Sequence, residues 1–207
     1  MLPPTIPLFP LPNVVLFPNV FLPLHIFEPR YRAMLADALA GDRIIGMTLL
    51  MPGYEGNYQG RPPVYPVGCA GVITHSEQLP DGRSNVVLRG IEKFRIVEED
   101  TSREYRLARI EPLPETANDA EKLLLKQRRH RIEALLVAAI ERGGQDPRFP
   151  AAIPDEDLIN ALSQYLGLDP VERQALLERD GVLARCDGLI ELLEMKTYSA
   201  GGPKSVH

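Results

Sequence analysis

The sequence predicts an α+β protein, in which a β-barrel plugged by one helix is followed by a small helical bundle. Fifteen of the 20 prolines precede residue 115, among short runs rich in Val, Ile, Phe and Tyr. Runs of that length, bounded by Gly, Pro or Asp-Gly, are typical of β-strands. After Pro114 the apolar residues recur at helical spacing instead. We therefore predict two domains, residues 1–114 and 115–207.

Seven runs in the first domain have the length and composition of strands. In chain order they are TIPLFPL, VFLPLHIF, RIIGMTLL, VGCAGVITHSEQ, RSNVVLRG, EKFRIVEE and EYRLARIEPL. The fourth and fifth flank Pro80-Asp81-Gly82, and because Asp-Gly supplies the positive φ angles of a tight turn, they predict a hairpin. One helix is predicted from about Pro29 to Ala40, since proline at the first helical position loses no intrahelical hydrogen bond.

The run VFLPLHIF is apolar on both faces of the strand it predicts. Its alternating sets are Phe21, His25 and Phe27 on one side, and Leu22, Leu24 and Ile26 on the other. Such a strand has to be covered on both sides, as in a closed or nearly closed barrel. We therefore expect Phe27 to be buried and His25 to be a core or interface histidine satisfied by hydrogen bonds. The prolines belong at strand ends, bends and edges, because they cannot donate to the ladder.

The second domain is predicted to contain four amphipathic helices. They run from about Asn118 to Arg142, from about Asp155 to Leu166, from Asp169-Pro170 onward, and from about Val182 to Met195. The predicted apolar faces are Leu125, Ile132, Leu136 and Ala139; Leu158, Ile159, Leu162, Tyr165 and Leu166; and Cys186, Leu189, Ile190 and Leu193. Gly143-Gly144 is expected to end the first helix, and Glu172 to complete a capping box with Asp169. The basic cluster Gln127 to Arg131 is expected on an exposed helix face.

Composition and charge exclude several classes of protein. The net charge of −5 creates no field that would attract nucleic acid or an anionic membrane. Cys69 and Cys186 lie far apart without further ligands at metal spacing, so we expect two small buried or half-buried thiols rather than a zinc site or a disulfide. The N-terminus lacks the features of a signal peptide, and no apolar run reaches the roughly 18 residues of a membrane span. The sequence therefore predicts a cytoplasmic protein.

A family resemblance follows from four motifs. The run LFPLPNVVLFPNVFLPLHIFEPRYRAML, from Leu8 to Leu35, resembles the opening of the Lon protease N-terminal domain. The resemblance continues through YPVGCAGVI, DGRSNVVLRGIEKFRI and LDPVERQALLERD. It implies a PUA-like β pseudo-barrel, a helical bundle and a role in protein quality control. The ATPase and peptidase domains of a full Lon protease do not follow, so we expect a stand-alone substrate-binding domain protein.

Motifs for catalysis, cofactors and metals are absent from the sequence. The string GGPKS at Gly201 to Ser205 lacks the spacing of a P-loop, and no G-x-S-x-G elbow occurs. The four histidines show no metal-ligand spacing. We predict no catalytic, cofactor-binding or metal-binding residues.

Two groups of residues are candidates for binding. The loop from Met51 to Pro66 carries Tyr54, Tyr58 and Tyr65, and tyrosines on a mobile loop suit loose binding of an extended peptide. The same loop is equally well explained as a surface insertion without a partner. The second group is the polar cluster His25, Glu28, Arg30 and Tyr31. Its last three residues either form a recognition site or lock the plugging helix to neighbouring strands.

The leading hypothesis is a non-catalytic binding module that recognises polypeptide segments. The expected partners are unfolded or tagged polypeptides, with a separate ATPase or protease as a further candidate. One alternative is RNA binding through the PUA-like barrel, although the acidic balance and the lack of an aromatic and basic stripe argue against it. A second alternative is a small-molecule or hydrolytic enzyme, for which the sequence offers no paired nucleophile and base.

Overall fold

The structure is a computed structural model that describes residues 2–58, 60–141 and 153–200. Its strands and helices follow in this order: β1 (Thr5–Leu11), β2 (Phe21–Ile26), α1 (Pro29–Ala40), β3 (Ile44–Leu49), β4 (Val67–Gln78), β5 (Ser84–Asp100), β6 (Arg106–Leu113), α2 (Asp119–Glu141), α3 (Asp155–Tyr165), α4 (Pro170–Glu178) and α5 (Gly181–Ala200). The predicted α+β class is confirmed.

The described residues fall into two compact units. The first contains the residues up to 115 together with 160–178, and the second contains 116–159 together with those from 179 onward. The boundary between them passes through α3, so that α4 belongs to the first unit. An independent domain boundary between residues 114 and 115 stays a prediction.

The six strands form one sheet in the order β2-β5-β4-β3-β1-β6. The end of β5 also pairs with β6, from Lys93 opposite Leu113 to Asp100 opposite Leu107. The sheet therefore curls back on itself as a pseudo-barrel rather than as a regular closed barrel. Two of the seven predicted strands, RSNVVLRG and EKFRIVEE, are the two halves of the single 17-residue strand β5.

The prolines of β1 lie where the strand is paired on one side only. Pro7 stands opposite Leu107 in the half that pairs with β6, and Pro10 stands opposite Thr48 in the half that pairs with β3. A proline cannot donate a ladder hydrogen bond, so a strand tolerates it where one edge needs no partner. The change of partner at Leu8 thus explains how a strand between two neighbours can contain two prolines.

Strand β2 is an edge strand that pairs with β5, and one of its faces is exposed. Leu22 and Ile26 are buried, whereas Phe21 is 52% exposed and Phe27, just beyond the strand, is 59% exposed. The expectation that both faces are covered and that Phe27 is buried is therefore wrong. Periodicity identified the two faces correctly, but one face of an antiparallel pair such as β2 and β5 can be exposed to solvent.

Helix α4 and the end of α3 pack within the first unit through buried polar groups. The Gln174 amide donates to the carbonyl of Val67 on β4 over 2.9 Å. The buried Lys93 ammonium donates to the carbonyl of Leu177 over 3.1 Å and lies 2.7 Å from the carboxylate of Glu115. Tyr165, expected on an apolar face, is instead 63% exposed, and its hydroxyl donates to the carbonyl of Phe21.

Local signals in the sequence fix several turns and helix ends. Gly82 has a φ of 81°, and the Asp81 carboxylate accepts from the backbone N–H of Arg83, as the predicted hairpin requires. Helix α2 begins with a reciprocal capping box between Asn118 and Glu121. At α4 the Glu172 carboxylate accepts from the backbone N–H of Asp169 over 2.8 Å.

In the second unit, α2 packs against α5. Among the described residues of this unit, the buried apolar ones are Leu125, Ile132, Leu136, Leu158, Ile159, Val182, Cys186, Leu189 and Ile190. Arg129, expected on an exposed face, is buried, and its guanidinium contacts the carboxylates of Glu133 and Asp155, both at 2.8 Å. The side chain of Ala139, the pair Gly143-Gly144 and the string from Gly201 to Ser205 lie outside the described residues.

Both cysteines are buried and unbridged, as expected. Burial, with a further contribution from the charge of Asp187, raises the pKa of the Cys186 thiol to about 12. A thiol with such a pKa carries almost no thiolate at neutral pH, so Cys186 is chemically inert there.

Candidate functional site

The polar cluster predicted near Pro29 forms at the start of α1. Glu28 is the residue before Pro29 and adopts an extended conformation, with φ −67° and ψ 137°, as the steric restriction by a following proline favours. Its carbonyl accepts from the backbone N–H groups of Tyr31 and Arg32 over 3.0 and 2.9 Å. The backbone of Glu28 therefore anchors the first turn, which leaves its side chain available for other contacts.

The Glu28 carboxylate joins this helix start to the tyrosine loop. One oxygen lies 3.0 Å from the Arg30 guanidinium, and the other accepts from the Tyr58 hydroxyl over 3.1 Å. The Arg30 guanidinium in turn lies 4.6 Å from the ring centre of Tyr31 and 5.5 Å from that of Tyr58. These four residues, Glu28, Arg30, Tyr31 and Tyr58, are called the Glu28 cluster below.

Tyr31 also ties the Glu28 cluster to β1. It is buried, and its ring centre lies 4.4 Å from that of Phe9. Burial raises the pKa of Tyr31 to about 12. The pKa of Tyr58 is also raised. Burial is the largest cause, and the charge of Glu28 and the hydrogen bond to Glu28 raise this pKa further. Both phenols are therefore protonated donors at neutral pH and cannot act as bases.

The three loop tyrosines do not lie in equivalent places. Tyr54 is in a short 3₁₀ turn, and its ring meets that of Tyr58 edge to face, with 6.3 Å between centres. The Tyr65 backbone N–H donates to the carbonyl of Leu49, and the Met51 backbone N–H donates to the carbonyl of Pro63. The half-buried side chain of Tyr65 makes no hydrogen bond or ring contact within the described residues. The loop is thus held at both ends by backbone hydrogen bonds.

His25 lies apart from the other predicted residues. Its side chain is exposed on β2, where Nδ1 lies 2.9 Å from the side-chain oxygen of Asn85 and the ring stacks on Phe27 at 6.2 Å. Of the expected core or interface histidine, the core position is wrong, because His25 lies on the exposed face of β2. The expected hydrogen bond is present.

Sequence reasoning missed the arginines that complete the site. Arg106 of β6 is buried, contacts both oxygens of Glu99 at 2.9 and 2.8 Å, and donates to the carbonyl of Pro62. Arg61 donates to the carbonyls of Asp100 and Arg103. The sequence feature that could have indicated Arg106 is its position on the inward face of the predicted strand EYRLARIEPL. A buried arginine requires an anion as its partner.

Together these side chains line a small pocket. Its walls are formed by Pro10, Arg30, Tyr31, Leu50, Tyr58, Gly60, Arg61, Pro62, Glu104, Tyr105 and Arg106. The charges of Arg30 and Arg106 are matched by Glu28 and Glu99, and the wall also carries one further charge of each sign, on Arg61 and Glu104. The pocket therefore has aromatic and polar walls without a large excess of either charge. Such a lining suits hydrogen bonds to neutral groups and contacts with apolar side chains.

The buried tyrosines predict a loss of stability at alkaline pH. The pKa values of Tyr31 and Tyr105 are raised to about 12, mainly by burial and at Tyr105 also by the hydrogen bond to Asp37. In the unfolded chain they ionise near pH 10. Between pH 10 and 12 the unfolded chain therefore binds fewer protons than the folded protein, so the free energy of unfolding falls as pH rises. Below pH 10 both tyrosines are protonated in both states, and their full contribution to stability is present.

Urea unfolding at pH 8, 10 and 11 measures this loss. Tyr31→Phe keeps the ring contact with Phe9 but removes the ionising group, so its stability should fall less steeply above pH 10 than that of the wild type. Equal slopes for the two proteins would contradict the assignment.

The family of the chain follows from comparison with known proteins. Residues 5–195 match the family model of the ATP-dependent protease La (LON) substrate-binding domain. The chain therefore belongs to this family, which confirms the resemblance seen in the sequence. None of the helices in the described part of the chain has the length and hydropathy of a membrane-spanning segment.

Individual relatives support the same assignment. The Lon protease of Flavobacterium johnsoniae is 28% identical over 195 residues, which make up 89% of this chain and 23% of that protein. Lon protease 1 of Herpetosiphon aurantiacus is 27% identical over 206 residues, or 93% of this chain and 24% of that protein. The chain thus spans about a quarter of the length of these curated relatives.

Solved structures show the same fold. The N-terminal domain of the Mycobacterium avium complex Lon protease has a TM-score of 0.65 at 19% identity, covering 92% of this chain and 98% of that one. The Lon N-terminal domain protein from Xanthomonas campestris has a TM-score of 0.57 at 21% identity, covering 96% and 99%. At these identities the likeness concerns the fold alone.

Proposed function

We propose that this chain binds polypeptide segments and catalyses no reaction itself. The observation that carries this proposal is the match to the Lon substrate-binding domain family over residues 5–195. The clients would be unfolded or tagged polypeptides, which a separate ATPase or protease could then process. Such clients expose apolar and aromatic side chains together with unpaired backbone groups, so their receptor has to offer contacts for both.

The pocket beside the Glu28 cluster offers contacts of this kind. The ring of Tyr58 lines the pocket and provides apolar area, and the ring of Tyr54 meets that ring edge to face. Because the charges of Arg30 and Arg106 are matched by carboxylates, a neutral peptide can approach without meeting a strong field. The geometry therefore favours binding through ring contacts and hydrogen bonds rather than through attraction of an anion.

The edge strand β2 supports the proposal independently. Its exposed side presents Phe21, Pro23, His25 and, just beyond the strand, Phe27. An exposed row of rings on an edge strand is a common docking place for an extended peptide, which adds backbone pairing to side-chain contacts. The carbonyl of Phe21 is already occupied by Gln164 and Tyr165. Pairing would therefore be limited to the part of β2 from Pro23 onward.

The proposal is tested by fluorescence anisotropy with a panel of labelled peptides from unfolded proteins, each measured before and after nuclease treatment. Individual contacts of this type are weak, so dissociation constants in the micromolar range, about −8 kcal/mol, are expected. Binding of peptides without basic residues should change little with salt. The same preparation should neither hydrolyse ATP nor degrade casein. No binding of any peptide, or binding of RNA alone, would contradict the proposal.

Variants locate the binding surface. Replacing Tyr54 and Tyr65 together with alanine should weaken peptide binding about tenfold, the loss of two ring contacts, with little change in the melting temperature. Tyr58 is tested separately as Tyr58→Phe, because Tyr58→Ala would also remove the ring beside Arg30 and the hydrogen bond to Glu28. The matched variant Phe21→Ala with Phe27→Ala removes two exposed rings from β2. If only the β2 variant loses binding, the tyrosine loop is not the site.

A further inference from the structure

A second cavity lies in the first unit beyond the C-terminal end of α1. Its volume is about 160 Å³, whereas one water molecule needs about 10–15 Å³, so it has room for a side chain. The apolar part of its lining is Pro3, Ile6, Pro7, Ala38, Ile44 and Leu107. Its polar part is Asp37, Asp42 and Tyr105, together with Thr5 and Gly41.

The cavity is a consequence of the strand pattern. Strand β1 pairs with β6 from Thr5 to Leu8, but with β3 only from Leu8 onward. Continuing the β1–β3 register would place Ile6 beside Ile44, yet those two residues are not paired. Helix α1 covers β1 through the contact between Tyr31 and Phe9 and ends at Ala40. The start of β1 therefore has one edge that β3 does not pair, and the half-buried Pro7, Ile44 and Leu107 line the cavity there.

Three negative features meet at this cavity. The first two are the carboxylates of Asp37 and Asp42. The Tyr105 hydroxyl donates to Asp37 over 2.6 Å, which fixes the orientation of the Asp37 carboxylate. The third is the C-terminal end of α1, where the helix dipole is negative and whose last turn contains no basic residue.

Arg103 and Arg43 leave the negative potential at the cavity largely in place. The Arg103 guanidinium lies 3.4 Å from Asp37, with side chains 58% and 49% exposed, and so exposed an ion pair contributes little. The Arg43 guanidinium donates to the carbonyl of Ile73 on β4. An incoming cation can therefore replace Arg103 at Asp37 at small cost.

We propose that this cavity takes a lysine or arginine side chain of a bound polypeptide, so that the chain prefers clients with a basic residue. This inference rests on the proposed function. The aliphatic stem of the basic side chain would lie against Pro7, Ile44 and Leu107, and its cation would reach Asp37 and Asp42. Lysine and arginine are the side chains that combine an apolar stem with a positive end, which matches an apolar cavity with a negative rim.

Peptide pairs that differ at one position test the proposal by fluorescence anisotropy on the full chain. In one pair the variable position is lysine or norleucine, and in the other pair it is arginine or citrulline. The rest of the peptide sequence is apolar and constant. The wild type should prefer the charged member about fivefold at low salt, and this preference should shrink at high salt. Asp42→Asn and Asp37→Asn should reduce the preference, and Arg103→Gln should increase it.

Glu77→Gln is the matched control, because it removes one exposed carboxylate from β4, outside the cavity lining. It should keep the wild-type preference. If peptides bind but lysine and norleucine bind equally, the cavity assignment is wrong while the proposed function stands. A lysine preference that Asp42→Asn and Glu77→Gln lower equally would also overturn the assignment. If no peptide binds, both proposals are overturned.

Discussion

Phe94→Ala is expected to destabilise the first unit by about 3–5 kcal/mol, the usual range for a fully buried aromatic residue. Phe94 is fully buried in a cluster with Leu2, Ile6, Leu8, Ala70, Ala108 and Ile110. Its ring also fills the space beside Gly46 and Gly68, where a Cβ would come within 2.9 and 2.7 Å of it. Alanine would leave a cavity bordered by several strands, and these paired strands cannot move inward to fill it. Urea unfolding at pH 7 measures the loss.

Phe27→Ala is the matched control for Phe94→Ala. It removes the same side chain from a position that is 59% exposed, so it should change the free energy of unfolding by no more than about 0.5 kcal/mol. If Phe27→Ala costs as much as Phe94→Ala, the placement of Phe27 outside the core is wrong.

Gly90→Ala is expected to cost at least about 3 kcal/mol or to prevent folding of the first unit. A Cβ at this position would lie 2.0 Å from the carbonyl oxygen of Phe17, a backbone atom that cannot rotate away. The clash would separate two hydrogen-bonded segments, since Gly90 donates to Val20 and accepts from Asn19, both over 2.9 Å. Overpacking of this kind commonly costs 1–3 kcal/mol, and the loss of backbone hydrogen bonds adds to it.

Gly167→Ala provides the comparison for Gly90→Ala. A Cβ there meets nothing within 4 Å, and no positive φ is required. This variant should be neutral or slightly stabilising, because alanine restricts the unfolded chain more than glycine does. Similar melting temperatures for Gly90→Ala and the wild type would show that the segment around Phe17 does not approach β5 as described.

Signals within a few residues predicted the local structure well. Helix α1 begins at Pro29 and ends at Ala40 as expected, and the Asp81-Gly82 pair forms the tip of the β4–β5 hairpin. Asn118 was correctly placed at the start of a helix. These features depend on proline, glycine and capping side chains, whose preferences are set by their own backbone.

Gly90 shows where local rules failed. The run RSNVVLRG predicts a strand that ends at Gly90, because glycine usually interrupts regular structure. In the fold it lies within β5 and allows the carbonyl of Phe17, 73 residues earlier, to approach closely. The approach of a distant backbone has no signature in the neighbouring residues, so the sequence could not distinguish the two explanations.

The candidate site was predicted as separate pieces. Glu28, Arg30 and Tyr31 were grouped by adjacency, and Tyr58 by its loop, but the hydrogen bond between Tyr58 and Glu28 joins residues 30 positions apart. Arg106 was missed because its partner groups lie on Glu99 and Pro62, which only the folded sheet brings together. Residue types were visible in the sequence, whereas their pairing depends on the topology of the sheet.

The central claim, recognition of polypeptide segments, is tested most directly with one client protein in two states. A small disulfide-bonded protein is offered to the full chain once in its native form and once reduced and carboxymethylated, so that composition is nearly constant and only exposure changes. Isothermal titration calorimetry should show micromolar binding of the unfolded form and no measurable binding of the native form. Equal binding of both forms, or binding of neither, would contradict the proposed function.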